Sequence, residues 1–302
     1  MSTMDILKKS DDLVSPGLSA CQGCTAELSL RTAFKVFGHK TVLGVPPGCI
    51  AGVGVPGWGV KTGMKTPVVM PLLGNSAALM AGVKQAYAKI DPEVHCVVFA
   101  GDGATVDSGL QTLSAAAERG ENIIYICYDN EGYMNTGFQK SGTTPHGAHM
   151  STSPSGPYSR GNIGFKKDVP LMLAVQDAAY VATLCPSHIQ DFVRKVRRAT
   201  EIKDGLSYLH IMSPCPTGWG IKPDQSIQYA RRAVETLYFP LFEYDHGTYT
   251  ISRPTLRAAE KPQPVAEFYK GQRRFRHMSE EEIQRIQDDV DRKWSLLKKL
   301  AS

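Results

Sequence analysis

Two runs of sequence decide the fold: His95-Cys-Val-Val-Phe-Ala-Gly-Asp-Gly103 and Ile123-Ile-Tyr-Ile-Cys-Tyr-Asp-Asn130. Each begins with a short apolar segment rich in β-branched and aromatic residues, which is typical of a buried strand. The intervening residues 108–119 place their apolar side chains on one helical face. This order predicts a βαβ unit with two parallel strands.

Asp102 and Asn130 directly follow the two predicted strands. Parallel strands joined by a helix end at the same edge of a sheet, where ligands bind, so these side chains should face one another across a glycine-rich turn. A carboxylate, an amide oxygen, a backbone carbonyl and two phosphate oxygens form the oxygen-only octahedral shell that Mg²⁺ prefers. The alternative is an ordinary strand-to-helix turn in which Asp102 caps the helix. The second strand, with Asn130 at its end, favours the metal site.

The seven cysteines divide into two groups by their surroundings. Three stand in or directly after apolar runs: Cys96, Cys127 and Cys185. We expect these three to be small buried apolar residues. The other four stand in loops rich in Gly and Pro: Cys21, Cys24, Cys49 and Cys215. Such loops can fold around a metal cluster and offer N–H groups to its sulfurs, although a redox dithiol or a zinc site is also compatible with four cysteines.

These features resemble those of a known enzyme family. The GDG sequence followed by Asn130 is similar to the thiamine-diphosphate motif, and the spacing C-x2-C-x24-C-x165-C is similar to that of the proximal 4Fe–4S site of 2-oxoacid:ferredoxin oxidoreductases. Five longer segments resemble the β subunit of the pyruvate:ferredoxin oxidoreductase family: 101–111, 116–120, 125–139, 191–195 and 210–219. The resemblance therefore covers most of the chain.

The resemblance implies roles for individual residues. Asp102 and Asn130 would bind Mg²⁺ through their side chains and Gly132 through its carbonyl, while Gly101 and Gly103 would let the backbone approach the diphosphate. A helix predicted from Ser76 could point its N-terminus at an anion. The further residues assigned to the cofactor are Gly48, Gly74, Asn75 and Asn135. The cysteines implied as ligands of the 4Fe–4S cluster are Cys21, Cys24, Cys49 and Cys215.

Asn135 is the candidate catalytic residue. It lies within Tyr133-Met-Asn-Thr136, which matches a family residue at the substrate end of the cofactor. An amide there could donate to the oxyanion that develops during the reaction, and the loss of such a contact costs roughly 3 kcal/mol. The alternative is an Asn that only turns the loop.

The reaction implied by the resemblance is the oxidative decarboxylation of a 2-oxoacid. Thiamine diphosphate carries the chemistry, electrons pass one at a time to the cluster, and the acyl group usually passes to coenzyme A. Pyruvate is the first expectation for the substrate, but residues 25–27 and 48–58 depart from the family pattern and make an aryl 2-oxoacid such as phenylglyoxylate, or oxalate, an alternative. Two other functions stay open: a non-catalytic electron-transfer subunit, and a thiamine-dependent decarboxylase with structural zinc.

Partner chains are also implied. No carboxylate for the pyrimidine ring of the cofactor is evident, and the family carries that Glu on another subunit. We therefore expect a pyrimidine-binding α-type chain, a γ-type chain for coenzyme A or substrate, a ferredoxin-like chain, and ferredoxin as an external acceptor.

Composition limits the remaining classes. With 302 residues and 42% apolar content, the chain can bury a large core, and no stretch approaches the roughly 20 apolar residues of a membrane helix. The N-terminal segment has no secretory pattern. The seven cysteines, an odd number, argue against a disulfide framework, so we expect a cytoplasmic protein. The net charge is +5, but no nucleic-acid motif accompanies the basic clusters, so we expect neither nucleic acid nor membrane as a partner.

The expected fold class is α/β: a thiamine-diphosphate-binding fold with a mostly parallel sheet flanked by helices, and cysteine-rich loops that hold an iron–sulfur cluster. Residues 1–254 would form this domain. Residues 255–302 would form a tail whose helix opens with a capping box at Ser279 and packs on this subunit or a neighbour. The other predicted elements are helices over 28–37, 76–89, 171–181, 189–200 and 226–236, strands over 180–184 and 207–211, a long polar loop over 131–168, and a hairpin over 242–251.

Overall fold

Ten strands lie in the residues that the computed structural model describes, which are 2–16, 18–53 and 63–302. Residues 54–58, part of the glycine-rich segment connected above with substrate choice, fall outside them. The strands are β1 (Thr41–Gly44), β2 (Val68–Val69), β3 (His95–Gly101), β4 (Ile124–Asp129), β5 (Ser155–Gly156), β6 (Ser159–Arg160), β7 (Tyr180–Leu184), β8 (Ser207–Met212), β9 (Phe242–Asp245) and β10 (Thr248–Ile251).

Helices alternate with these strands over much of the chain. The α-helices are α1 (Thr3–Lys9), α2 (Thr25–Phe37), α3 (Ser76–Tyr87), α4 (Leu110–Glu118), α5 (Val169–Val175), α6 (Ile189–Glu201), α7 (Pro216–Trp219), α8 (Ser226–Glu235), α9 (Arg253–Glu260), α10 (Ala266–Tyr269) and α11 (Glu280–Leu300). A π-helical turn, Gly103–Ser108, precedes α4. Of the helices described, none combines the length and the apolar character that crossing a membrane requires.

Eight strands form one sheet in the order β10-β9-β7-β8-β4-β3-β1-β2. The six strands from β7 to β2 run parallel, while β9 and β10 are antiparallel to their neighbours. The parallel pairing of β3 with β4, from Val97 opposite Ile124 to Gly101 opposite Tyr128, confirms the predicted βαβ unit. In the sheet, β1 and β3 are neighbours. The next strand after β1 in the chain, β2, lies on the side of β1 away from β3, whereas the next strand after β3, β4, lies on the side of β3 away from β1. Strand order therefore reverses between β1 and β3, and open α/β sheets bind ligands beyond the carboxyl ends of strands at such a point.

Helices cover both faces of the sheet. On one face, α2 and α6 pack against side chains that include Val97 and Phe99. On the other face, α3, α4 and α5 pack against Val98 and Ala100. Successive side chains of a strand point to opposite faces, so a strand covered on both sides must be apolar along its length. This explains why β3 and β4 appear as continuous apolar runs, in which each buried Val or Phe contributes about 1.5–3 kcal/mol.

The residues after β8 build a third apolar cluster around Trp219. The helix α11 begins with the predicted capping box, because Ser279 and Glu282 each accept a hydrogen bond from the other's backbone N–H. The predicted stripe of α11 faces this chain: Ile286, Val290 and Leu297 are buried, and Ile283 and Trp294 pack against the cluster.

Several predicted element boundaries were wrong. The helix expected over 171–181 is α5, which ends at Val175 because Asp177 adopts a left-handed φ of 54° before β7 begins. The helix expected from residue 28 already begins at Thr25, directly after Cys24. The helix expected over 108–119 is α4, which begins at Leu110 and ends at Glu118, because the residues up to Ser108 form the π-helical turn. Strands β1 and β2 were missed because each is too short to show a period.

Candidate cofactor and cluster site

Loops that carry predicted site residues meet beyond the carboxyl ends of four parallel strands. The strand β1 leads to Gly48 and Cys49, β3 leads to Asp102, β4 leads to Asn130, and β8 leads to Cys215. Since β8, β4, β3 and β1 are consecutive in the sheet, these residues are neighbours although they are distant in sequence.

Three oxygen-bearing groups converge after β3 and β4. The terminal amide atom of Asn130 that faces the other two groups lies 2.9 Å from Oδ1 of Asp102 and 2.8 Å from the carbonyl oxygen of Gly132. With the amide oxygen in this position, all three groups present oxygen to one point, and a divalent cation supplies the positive charge that such a set needs. Without a cation, turning the amide over would place its N–H groups against the same two acceptors. The donor set brought together here fits Mg²⁺.

Asp102 is fully buried. Burial raises its pKa to about 8, and the negative charge of Asp129 adds to the rise, while hydrogen bonds from Ser141 and Thr143 oppose it. The Thr143 hydroxyl donates to Oδ2 of Asp102 at 2.9 Å, which leaves Oδ1 for the cation site. A cation at that point would restore the ionised carboxylate, because a nearby opposite charge favours it. Asp102 makes no side-chain capping bond to the turn that follows, so the helix-cap alternative loses its support.

A cavity of about 180 Å³ opens beside these oxygens. Six of the residues predicted at the cofactor line it: Gly48, Gly101, Gly103, Asn130, Gly132 and Asn135. A Cβ atom added at Gly103 would lie 2.4 Å from the ring of Tyr133, and one at Gly48 would lie 2.8 Å from Oη of Tyr128. A side chain at either position would collide with a tyrosine, so glycine is required there, and it leaves the backbone accessible to a ligand.

Gly74 and Asn75 follow Leu73, which lines this cavity, but they do not line it themselves. Leu73 lines it, whereas Gly74 packs against the π-helical turn, where an added Cβ would lie 2.8 Å from the carbonyl oxygen of Ser108. The side-chain oxygen of Asn75 is buried without a hydrogen-bond partner among the described residues. The structure thus brings these two predicted residues near the cofactor cavity but not into the wall that its described residues form.

A second cavity, of about 170 Å³, is lined by all four loop cysteines: Cys21, Cys24, Cys49 and Cys215. The two cavities share four residues of their walls: Cys49, Asn130, Met134 and Asn135. The other three cysteines, Cys96, Cys127 and Cys185, are buried in the core, as predicted.

Cys49 and Cys215 lie where free thiolates would be unstable. Burial raises the pKa of Cys49 to about 12 and that of Cys215 to about 11. Backbone N–H groups oppose this rise: Gly218 donates to Sγ of Cys215 at 3.3 Å, and Cys24 stands at the N-terminus of α2. A bound metal group would favour the thiolate form of Cys49 and Cys215 by supplying positive charge.

Comparison with known proteins decides the family. Residues 57–211 match the family "Thiamine pyrophosphate enzyme, C-terminal TPP binding domain". Pyruvate synthase subunit PorB of Methanothermobacter thermautotrophicus is 44% identical over 93% of this chain and 96% of its own length. Ketoisovalerate oxidoreductase subunit VorB of Pyrococcus furiosus is 40% identical over 94% of this chain and 92% of its own length. The chain belongs to the β subunits of 2-oxoacid:ferredoxin oxidoreductases.

This assignment confirms the predicted family and the thiamine-diphosphate-binding domain. The β subunit of NADH-dependent phenylglyoxylate dehydrogenase from Aromatoleum evansii is 42% identical over 93% of this chain, and the chain spans 62% of that protein's length. A solved structure, the 2-oxoglutarate:ferredoxin oxidoreductase from Magnetococcus marinus with 2-oxoglutarate, coenzyme A and succinyl-CoA bound, shares the fold with a TM-score of 0.57. The two chains are 21% identical, and the match covers 77% of this chain and 81% of the other.

The β subunit fixes Asn130 with buried charges that sequence reasoning missed. Lys166 Nζ lies 2.9 Å from Oδ2 of Asp129 and 2.7 Å from Oε1 of Glu131, so one cation pairs with both chain neighbours of Asn130. Arg274, which is more deeply buried than Lys166, pairs with the second carboxylate oxygen of Glu131. The acids flank Asn130 in the sequence and were visible there, but nothing local marked the lysine and arginine as their partners.

Further contacts hold the same turn. His210 Nε2 lies 3.0 Å from Asp129, and burial, which alone would raise the pKa of Asp129, is outweighed by Lys166 and His210, so that this pKa lies well below its usual range. Glu131 has a left-handed φ of 68°. The indole N–H of Trp219 donates to the carbonyl oxygen of Asn130 at 2.9 Å. The turn that presents the Asn130 amide is therefore held by side chains from three distant segments.

Proposed function

We propose that this β subunit uses thiamine diphosphate and Mg²⁺ to decarboxylate a 2-oxoacid oxidatively, and that its loop cysteines hold a 4Fe–4S cluster which accepts the electrons. One observation carries the proposal. The cavity beside Asp102 and the cavity between the cysteines share Cys49, Asn130, Met134 and Asn135 as wall residues. A donor in the first cavity and an acceptor in the second would be separated only by these side chains.

The proposal assigns roles to five residues at the first cavity. Thiamine diphosphate, when bound, supplies the carbanion for attack on the 2-oxo carbon and the ring that accepts the electrons left by the loss of CO2. Asp102, Asn130 and the carbonyl of Gly132 would hold Mg²⁺ against the diphosphate, and Gly101 and Gly103 would leave room for it. Holding these groups in place beforehand lowers the reorganisation needed during the reaction.

Asn135 is proposed to contact the reacting end. It is exposed within the wall that both cavities share, so its amide is free to reach a substrate. An N–H donor there would stabilise the oxyanion that develops on the 2-oxo oxygen.

For the second cavity, a cluster is favoured over zinc. A zinc ion needs four ligand atoms at about 2.0–2.3 Å from one point. The four loop cysteines surround a shared space of about 170 Å³. Sulfurs arranged around a volume suit a larger iron–sulfur group.

Pyruvate is the proposed first substrate, with an aryl 2-oxoacid or oxalate as the alternatives. The three relatives described above, which are named for pyruvate, ketoisovalerate and phenylglyoxylate, are 44%, 40% and 42% identical to this chain, so identity does not separate the substrates. We further propose that the working enzyme contains a pyrimidine-binding α-type chain, a γ-type chain and a ferredoxin-like chain, passes the acyl group to coenzyme A, and reduces an external ferredoxin.

The test uses the complex with its partner chains, purified without oxygen. Reduction of a viologen dye is scored with pyruvate, phenylglyoxylate, branched 2-oxoacids and oxalate, alongside the iron and zinc contents.

We expect Asp102→Ala to abolish dye reduction and Mg²⁺-dependent thiamine diphosphate binding, because the cation loses its only charged ligand in the described set. The matched control is Asp107→Ala, since Asp107 lies in the same turn but pairs with the partly exposed Lys167. Normal turnover of Asp102→Ala at ordinary Mg²⁺ would contradict the metal assignment.

A further inference from the structure

A groove of about 280 Å³ adjoins the cysteine cavity, and the two share Phe138 and Thr217. The rest of its wall includes His149, Arg273, Arg274 and Arg276. We call it the arginine groove. No Asp or Glu is among the described residues that line it.

Among the residues that the structure describes, no carboxylate neutralises the exposed positive charge of this groove. Arg273 and Arg276 are exposed, and neither forms an ion pair with a carboxylate in the described residues. On α6 the situation is the opposite, because Arg194 pairs with Glu243 and Arg198 pairs with Asp245. The outward arginines therefore leave a charge that a partner can meet.

The fold holds these arginines against the loop of Cys215. Helix α7, which follows Cys215, is followed by Gly220, and a Cβ atom there would lie 2.6 Å from Cβ of Arg273. Gly220 also has a left-handed φ of 64°, so glycine permits both the turn and the close approach. Arg274 points inward instead, with its guanidinium 3.9 Å from the ring of Trp219. The inward arginine anchors the segment, while its neighbours face solvent beside the cysteine cavity.

We propose that the arginine groove is the docking surface for the acidic face of the external ferredoxin, which would accept electrons one at a time from the cluster. The inference rests on the proposed function, since it takes the four cysteines to hold an electron-transfer group. A positive surface steers a negative partner into contact and raises the association rate by about 10-fold to 1,000-fold at low salt. The ring of Phe138, 36% exposed, adds an apolar contact at the boundary between the cavity and the groove.

The electron count of the step is simple. Oxidation of one 2-oxoacid releases two electrons, which leave the cluster singly. With a cluster held by the four cysteines, each transfer would return the cluster to its oxidised state and reduce one iron–sulfur centre of the ferredoxin. No covalent bond forms or breaks at the groove.

The experiment compares two double variants in the intact complex. Arg273→Glu with Arg276→Glu reverses the charge of the groove. Arg257→Glu with Lys261→Glu makes the same change in charge on a separate surface, which is also lined by His188, Arg232, Glu235 and Glu267. For each complex, kcat/KM is measured with an acidic 4Fe–4S ferredoxin over a range of salt concentrations. The dye-reduction rate and the KM for coenzyme A are measured in parallel. Arg273→Gln with Arg276→Gln replaces the first variant should that one not assemble.

We expect the groove variant to lose about 10-fold or more of its kcat/KM for ferredoxin at low salt. The loss should shrink as salt screens the charges, while dye reduction and the control variant stay at the wild-type level. An unchanged kcat/KM for ferredoxin would overturn the proposal, and so would an equal fall in dye reduction, which would place the defect before the acceptor. A raised KM for coenzyme A with normal ferredoxin kinetics would assign the groove to a small anionic ligand. A wild-type complex that reduces neither acceptor would instead contradict the proposed function itself.

Discussion

Lys166 is a residue on which the proposed Mg²⁺ site depends, although in the described residues its ammonium pairs with the neighbours of Asn130 and not with the proposed ligands themselves. Its ammonium pairs with Asp129 and Glu131, the chain neighbours of Asn130. We expect Lys166→Met to lower the free energy of unfolding by about 3 kcal/mol, because two buried carboxylates lose their shared cation, and to raise the Mg²⁺ concentration needed for cofactor binding. Lys167→Met, which breaks a partly exposed pair with Asp107, should cost below about 1 kcal/mol and leave the Mg²⁺ requirement unchanged. Denaturant titration and Mg²⁺ titration test this, and equal effects of the two variants would contradict it.

The hairpin of β9 and β10 gives a pH-dependent prediction at the scale of an element. Hydrogen bonds to Asp245 and Asp204 raise the pKa of His246 above its usual 6.5, so the charged ring stabilises the hairpin turn below that value and loses this effect as pH rises through the raised pKa. Replacement by Asn, which tolerates the φ of 45° found there, should cost up to about 1 kcal/mol near pH 6 and almost nothing near pH 9, since the site is exposed. Denaturant midpoints at both pH values provide the measurement. A cost that does not change with pH would show that the ring acts by packing.

The cysteine site is formed only by the tertiary structure of the whole molecule. Its four residues come from the N-terminal loop, the loop after β1 and the loop after β8. We expect Cys215→Ser to reduce the iron content of the complex or to alter the paramagnetic spectrum of its reduced cluster, and to slow ferredoxin reduction. Cys127→Ser serves as the control, because Cys127 is fully buried in β4 and faces the core. A normal cluster in the first variant, or a lost one in the second, would reject the proposed ligand set.

Prediction from sequence succeeded where the information is local. The two apolar runs predicted β3 and β4 because strands buried on both faces must be apolar throughout. The polar residues that end them predicted Asp102 and Asn130 at one edge, because parallel strands joined by a helix end together. Cysteines in apolar runs were separated from cysteines in Gly- and Pro-rich loops for the same local reason, and burial divides them in this way.

The remaining features were decided by tertiary structure alone. The pairing of Lys166 with Asp129 and Glu131 joins residues about 35 positions apart, and the arginine groove joins the end of β8 to a turn near the C-terminus. Neither contact produces a periodic pattern or a motif in the sequence. The sequence shows which side chains are charged, but it does not show which charged side chains pair with one another. What the sequence by itself determined was the pattern of strands and the chemistry at their ends. The packing of the sheet and its flanking segments alone decided which distant charges pair around the turn of Asn130, and which arginines of the described residues stay without a carboxylate partner.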